Sequence, residues 1–188
     1  MERIEQTIKE SLKYHLIGEV NGRIRIRITD EAKAKLIKAG YGIYNHSTVE
    51  LCHWTKSALV KGGQSCYKFK FYGAPAGGSH RCAEFSPVGM ICSNRCVYCW
   101  RPTESFDSII PSEDLVDDPE EIVQGILRER YRLLTGYFGN PKSKDRAKEA
   151  LVPTHWSISL SGGNQHYTQS YRSSLSTSRA CQILSLCS

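Results

Sequence analysis

Apolar residues recur at Ile4, Ile8, Leu12 and Leu16, a spacing that predicts an amphipathic helix ending before Gly18. The period then shortens. After a tight turn at Asn21-Gly22, Arg23 to Ile28 alternates arginine with isoleucine, which fits a strand with one buried and one basic face. Asp30 can cap a helix that runs through Lys38 and stops at Gly40, and Ser47 with Glu50 has capping-box spacing for a second helix through Leu59 that carries Cys52. Cys66 to Tyr72 alternates again between glycine-rich stretches, and Pro87 to Ile91 reads as a short apolar strand. Asp118-Pro119-Glu120-Glu121 opens a helix with a proline in its first turn and carboxylates suited to the helix dipole, and Gly136 can end it. His155 to Leu160 is the next strand. Strand, loop, helix, strand is the opening of a parallel barrel, whose functional loops lie at the C-terminal ends of its strands.

Composition narrows the class. With 188 residues, 40% hydrophobic and 23% charged, the chain has the balance of a soluble globular protein. Its eight cysteines would mean disulfides in a secreted protein. Met1 to Glu5 begins no apolar signal segment, however, and no apolar run is long enough to span a membrane. The expectation is a reducing cytoplasm, no membrane, and thiols reserved for metal. The formal charge of +6 is compatible with a partner that carries phosphates. Basic residues gather at Arg23 to Arg27, at Lys142 to Lys148 and around Lys68, Lys70 and Arg81, although a solvated polar face explains the first two groups equally well.

The candidate chemistry centres on Cys92, Cys96 and Cys99, a C-x3-C-x2-C cluster. Three thiolates on one short loop can hold three irons of a 4Fe-4S cubane and leave the fourth iron open, whereas a closed structural zinc site wants a fourth protein ligand. The pattern is the signature of the radical S-adenosylmethionine superfamily. Membership implies that the cofactor S-adenosyl-L-methionine chelates the open iron and, on one-electron reduction, supplies a 5'-deoxyadenosyl radical.

Cys52, Cys66 and Cys82 are too far apart for one binding loop, but each stands in a distinctive local sequence: Leu51-Cys-His-Trp54, Cys66-Tyr-Lys68 and Ser79-His-Arg-Cys82. Together with Phe71-Tyr-Gly73 and Cys99-Trp-Arg-Pro102, these segments resemble the tRNA 4-demethylwyosine synthase family of the wybutosine pathway, from about Ile28 to Gly162. The resemblance implies two 4Fe-4S clusters, the second held by Cys52, Cys66 and Cys82, and a lyase-class tRNA-modifying activity. It implies that the C2-C3 unit of pyruvate is joined to N1-methylguanosine at position 37 of tRNA-Phe, with electrons from an external donor. Lys68 matches a family lysine proposed to form a Schiff base with pyruvate. The implied fold is α/β, a partial radical SAM (β/α) barrel with an N-terminal α+β cluster-binding extension, as a monomer of the shorter archaeal type without a flavodoxin-like domain.

After Ser161-Gly162 the family continues Glu-Pro-Thr-Leu-Tyr-Pro, where this chain has Gly163-Asn-Gln-His-Tyr-Thr-Gln169. Read from the third base of the Gly163 codon, the codons for these residues permit Glu, Pro, Thr, Leu, Tyr and Pro in that order. A frameshift is therefore expected, with Cys181 and Cys187 as accidents of frame and the chain a C-terminally truncated, inactive copy. The expected divisions are residues 1–82 as the extension carrying the second cluster site, 83–162 as the start of the barrel and 163–188 as a frameshifted tail. Two other readings fit the cysteines: a non-catalytic RNA-binding module holding zinc or iron–sulfur, and a radical enzyme with another substrate.

Overall fold

The computed structural model describes residues 12–62, 66–67, 78–92, 94, 96–97, 99, 104, 106–108 and 111–158. Most of the first expected helix, Lys68 and the rest of the strand expected after Tyr67, and the tail from 163 onward lie outside the described residues.

Two strands, β1 (His15–Val20) and β2 (Arg23–Ile28), form an antiparallel hairpin in which Leu16 faces Arg27 and Val20 faces Arg23. Asn21 and Gly22 both have positive φ, 51° and 77°, as a two-residue turn between right-twisted strands requires. Leu16 is therefore a strand residue rather than the end of a helix. Helix α1 (Asp30–Lys38) is capped by Thr29, whose extended backbone lets its side chain accept from the Ala32 amide. The expected cap, Asp30, falls one residue inside, in the first turn where its charge suits the dipole.

Four more strands make a second sheet in the order β3 (Tyr41–Tyr44), β4 (Ser47–Glu50), β5 (Cys82–Ser86), β6 (His155–Ile158). Ser47 to Glu50 is thus a strand, not a capping box. Its β-branched Thr48 and Val49 fit a buried ladder between β3 and β5, and α2 (His53–Lys61) begins only after Cys52, which occupies its N-cap. Pro87 to Met90 is a turn rather than a strand. Proline offers no ladder donor, Met90 is left-handed at φ 64°, and Ile91 makes an isolated parallel bridge to Asp107.

Between β5 and β6 the chain runs through the Cys92–Cys99 segment, α3 (Pro119–Thr135) and α4 (Lys144–Glu149). β5 and β6 are parallel, while β3–β4 and β4–β5 are antiparallel, which makes a mixed α/β architecture. The 82/83 division expected from sequence falls inside β5. Strands alternate faces, so Val49, Ala83, Phe85 and Trp156 share one side of this sheet and bury against Ile122 and Ile126 of α3. The contact between α3 and β3 is close: a Cβ on Gly125 would run into the ring of Tyr44.

Candidate metal centre

The other face of the same sheet is chemical. Cys82 and Glu84 alternate with Ala83 and Phe85, and register sets His155 opposite Cys82 and Glu50 opposite Glu84. These four side chains, with Cys52, Cys66, Ser79 and the first turn of α2, line a cavity of about 450 Å³. Three cysteines from the N-cap of α2, an intervening loop and the start of β5 therefore meet around one space. Thr55 and Ser79 tie them together. The Thr55 hydroxyl lies 3.4 Å from the Cys52 sulfur and donates to the Ser79 carbonyl at 3.1 Å. The Ser79 hydroxyl accepts from the Cys66 amide at 2.9 Å. Burial pushes the Cys52 thiol above its ordinary 9.0, against the opposing pull of the Thr55 hydroxyl and the backbone amides of the α2 N-terminus. A metal that takes the sulfur as thiolate reverses that cost.

Arg130 stands behind Cys82. It is 1% exposed and donates to the carbonyls of Ala150, His80 (3.1 Å) and Cys82 (2.9 Å). Burial pulls its pKa down from 12.5 to about 10, so it stays protonated at neutral pH. The His80 ring lies 2.9 Å from the Glu149 carboxylate, which commits that histidine to a structural pair.

The second set of thiols hangs from one loop. Cys92 is buried and, with Cys99, packs against Ile28, Ala32, Leu36, Ile43, Met90 and Phe106. Cys96 and Cys99 share a turn closed by the Cys99 amide on the Cys96 carbonyl at 3.0 Å. Asp107 fastens the start of the loop: its amide donates to the Met90 carbonyl and its carbonyl accepts from the Cys92 amide, both at 2.9 Å. Its carboxylate accepts from the amides of Lys13 and Tyr14 at 2.9 Å and lies 2.7 Å from His15 Nδ1, while His15 Nε2 faces the Gly89 carbonyl at 2.9 Å. Burial pushes Asp107 up, but the His15 bond and the two amides outweigh it and hold the carboxyl below its ordinary 3.8. His46 braces the same turn, donating from Nδ1 to the Pro87 carbonyl and accepting the Asp117 amide at Nε2, each at 2.9 Å.

Soft thiolate donors in threes suit iron–sulfur chemistry. Among the described residues, no three His, Cys, Asp or Glu side chains converge as they would on a single metal ion. A roomy cavity ringed by three cysteines is the arrangement a multi-iron group needs. The roles of Ser79, Thr55, Glu50, Glu84, His155, Asp107 and His15 leave no local mark in the sequence, because they depend on register or long-range contact. Arg130 had a signal, a charged residue at helical spacing within the stripe Ile122, Ile126, Leu134.

No family model matches the chain. Individual relatives do. It is 41% identical over 148 residues to the S-adenosyl-L-methionine-dependent tRNA 4-demethylwyosine synthase of Pyrococcus abyssi, covering 77% of this chain and 42% of that protein. It is 47% identical over 119 residues to the Pyrococcus horikoshii synthase, covering 62% and 33%. The chain belongs to the tRNA 4-demethylwyosine synthase family. It spans less than half the length of these relatives, and 21% of the human synthase TYW1, to which it is 33% identical over 165 residues. A solved structure of TYW1 with a lysine-pyruvate adduct bound is similar at a TM-score of 0.64 and 31% identity, over 80% of this chain and 49% of that one. The crystal structure of archaeal TYW1 is similar at a TM-score of 0.52 and 32% identity, over 71% and 43%. As a synthase relative, the chain carries both cysteine sets within the mixed α/β framework described above.

Proposed function

We propose that this chain carries the two iron–sulfur sites of a radical S-adenosylmethionine lyase that joins the C2-C3 unit of pyruvate to N1-methylguanosine-37 of tRNA-Phe, giving 4-demethylwyosine. The observation that carries the reading is the cavity that Cys52, Cys66 and Cys82, from separate segments, all line. Family membership supports the rest. Cys92, Cys96 and Cys99 would hold one 4Fe-4S cluster and Cys52, Cys66 and Cys82 the other. When bound, the first group supplies the electron that cleaves S-adenosylmethionine, and the second offers a Lewis-acidic iron to pyruvate.

The chain's own residues supply placement. Asp107 and His15 fix the start of the Cys92 loop, and Ser79 and Thr55 set the separation of Cys52 and Cys66. We assign to Lys68, two residues beyond the cavity-lining Cys66, an adduct like the lysine-pyruvate adduct of the TYW1 structure. An amine in that role needs its pKa lowered by desolvation or nearby positive charge. The barrel reading extends the parallel β5–β6 pair, with residues 83–162 as its opening and 1–82 as the cluster-bearing extension. The protein would work in the cytoplasm as a monomer, with an external electron donor; among the described residues no helix is long and apolar enough to cross a membrane.

The test is pyruvate capture. The chain, reconstituted anaerobically with iron and sulfide, is mixed with isotopically labelled pyruvate, reduced with borohydride and mapped by peptide mass spectrometry. Label on Lys68 that disappears in K68A supports the reading. Label on Lys56, which lines the cavity, or no label on a cluster-loaded chain, contradicts the substrate assignment.

A further inference from the structure

Arg130 occupies a place an aliphatic side chain would ordinarily take. Ile122, Ile126 and Leu134 lie on the same face of α3, all of them buried, and Arg130 is buried with them. A guanidinium in such a setting is costly unless something balances its charge. Its hydrogen-bond partners are three neutral carbonyls, those of Ala150, His80 and Cys82. Among the described residues no carboxylate pairs with it, and its Nε has no hydrogen-bond partner. The ionisable group placed to offset its charge, once deprotonated, is the Cys82 thiol, whose own carbonyl Arg130 holds. The carboxylate of Glu149, next in the chain to Ala150, is turned to the His80 ring.

We propose that Arg130 is the counter-charge and backbone anchor of the iron–sulfur group held by Cys52, Cys66 and Cys82, an inference that rests on the two-cluster reading above. Two functions combine in one side chain. Its two terminal nitrogens hold the carbonyls of His80 and Cys82, one on each side of Arg81, and the carbonyl of Ala150 at the end of α4. That fixes the chain segment that aims Cys82 into the cavity. Its charge balances an anionic, thiolate-ligated group in a partly buried site, and the orphaned cation acquires the partner it otherwise lacks. Net charge and hydrogen bonding around a cluster set its reduction potential. Because reduction adds negative charge, a fixed cation raises the midpoint potential. Arg130 is a positioning residue in this account and touches no substrate.

The experiment uses the full chain with Cys92, Cys96 and Cys99 changed to Ala, so that only the Cys52–Cys66–Cys82 site can load. Parent, R130K and R130Q are reconstituted anaerobically, and iron content, midpoint potential and thermal melting are measured for each. The parent should bind one cluster. R130K, which keeps the charge, should hold it with a midpoint near the parent's. R130Q should bind at least tenfold more weakly and show a more negative midpoint in whatever cluster remains. Equal iron content and equal midpoints in R130K and R130Q would overturn the counter-charge role while leaving the cluster site intact. A folded parent that binds no cluster would sink both this inference and the two-cluster reading. If R130Q fails to fold, R130K decides: retention of the cluster supports the charge, and its loss from a folded R130K overturns it.

Discussion

Cys92, Cys96 and Cys99 hang from a single loop, whereas Cys52, Cys66 and Cys82 come from the N-cap of α2, an intervening loop and the start of β5. The loop set receives its spacing from adjacency in the chain, and the fold has only to hold its beginning. Asp107 does so, through the backbone of Met90 and Cys92. The assembled set has no such guarantee. Its geometry depends on β4–β5 register, on the entry to α2, and on the hydrogen bonds of Ser79 and Thr55. A one-residue slip of β5 would turn Cys82 to the core and Ala83 to the cavity. Local sites tolerate error in the scaffold; assembled sites inherit it.

The largest effect expected from breaking this contrast is at Asp107. D107A removes the partner of buried His15 and strands the amides of Lys13 and Tyr14, a loss of about 3–5 kcal/mol in chemical denaturation. Among molecules that remain folded, iron at the Cys92 loop should fall while the assembled site stays loaded. Equal loss at both sites would mean that Asp107 supports the fold generally.

Gly125→Ala should cost about 1–3 kcal/mol, because the new methyl must displace the Tyr44 ring held between α3 and β3. S79A should cost about 1 kcal/mol in global stability, by loss of the Cys66 amide's partner. Its sharper readout is metal: roughly 10- to 100-fold weaker iron retention at the assembled site, as when a ligand's supporting shell is removed, and none at the loop. Iron loss at the loop instead would undo the contrast.

The smallest effect is on pH. Burial pushes Asp107 and Asp117 up, but the contact of Asp107 with His15, and those of Asp117 with the His46 ring, the Asn45 amide and the Arg25 guanidinium, outweigh it and leave both below the ordinary 3.8. Carboxyls depressed in the folded state contribute stability that is present above about pH 3.8 and is lost as the pH falls through their lower folded values. D107N should flatten that acid limb in urea titrations; an unchanged slope would remove Asp107 from the account.

Legibility in the sequence follows the same divide. The C-x3-C-x2-C spacing, the Asn21-Gly22 hairpin and the Asp118-Pro119 helix start are short-range signals, and the structure has the turn and both elements where they predict them. Ser47 and Glu50 misled because a capping box and a strand differ here only by tertiary pairing: Thr48 and Val49 lie between two other strands. Pro87 to Ile91 misled because an apolar run says nothing of Met90's left-handed backbone, held by bonds to the distant Asp107. Cys52, Cys66 and Cys82 were legible only through a family resemblance. Glu50, Glu84 and His155 join them by register, which no local pattern encodes.

Counting iron in two triple variants decides whether one chain holds two separate iron–sulfur sites. After anaerobic reconstitution, the Cys92/Cys96/Cys99→Ala chain and the Cys52/Cys66/Cys82→Ala chain should each retain one 4Fe-4S cluster, and the unaltered chain two. Only a chain with Cys92, Cys96 and Cys99 intact should change its electron paramagnetic resonance spectrum on addition of S-adenosylmethionine. Loss of all iron in either folded variant, or a colourless chain that binds zinc tightly at both sites, would contradict the account.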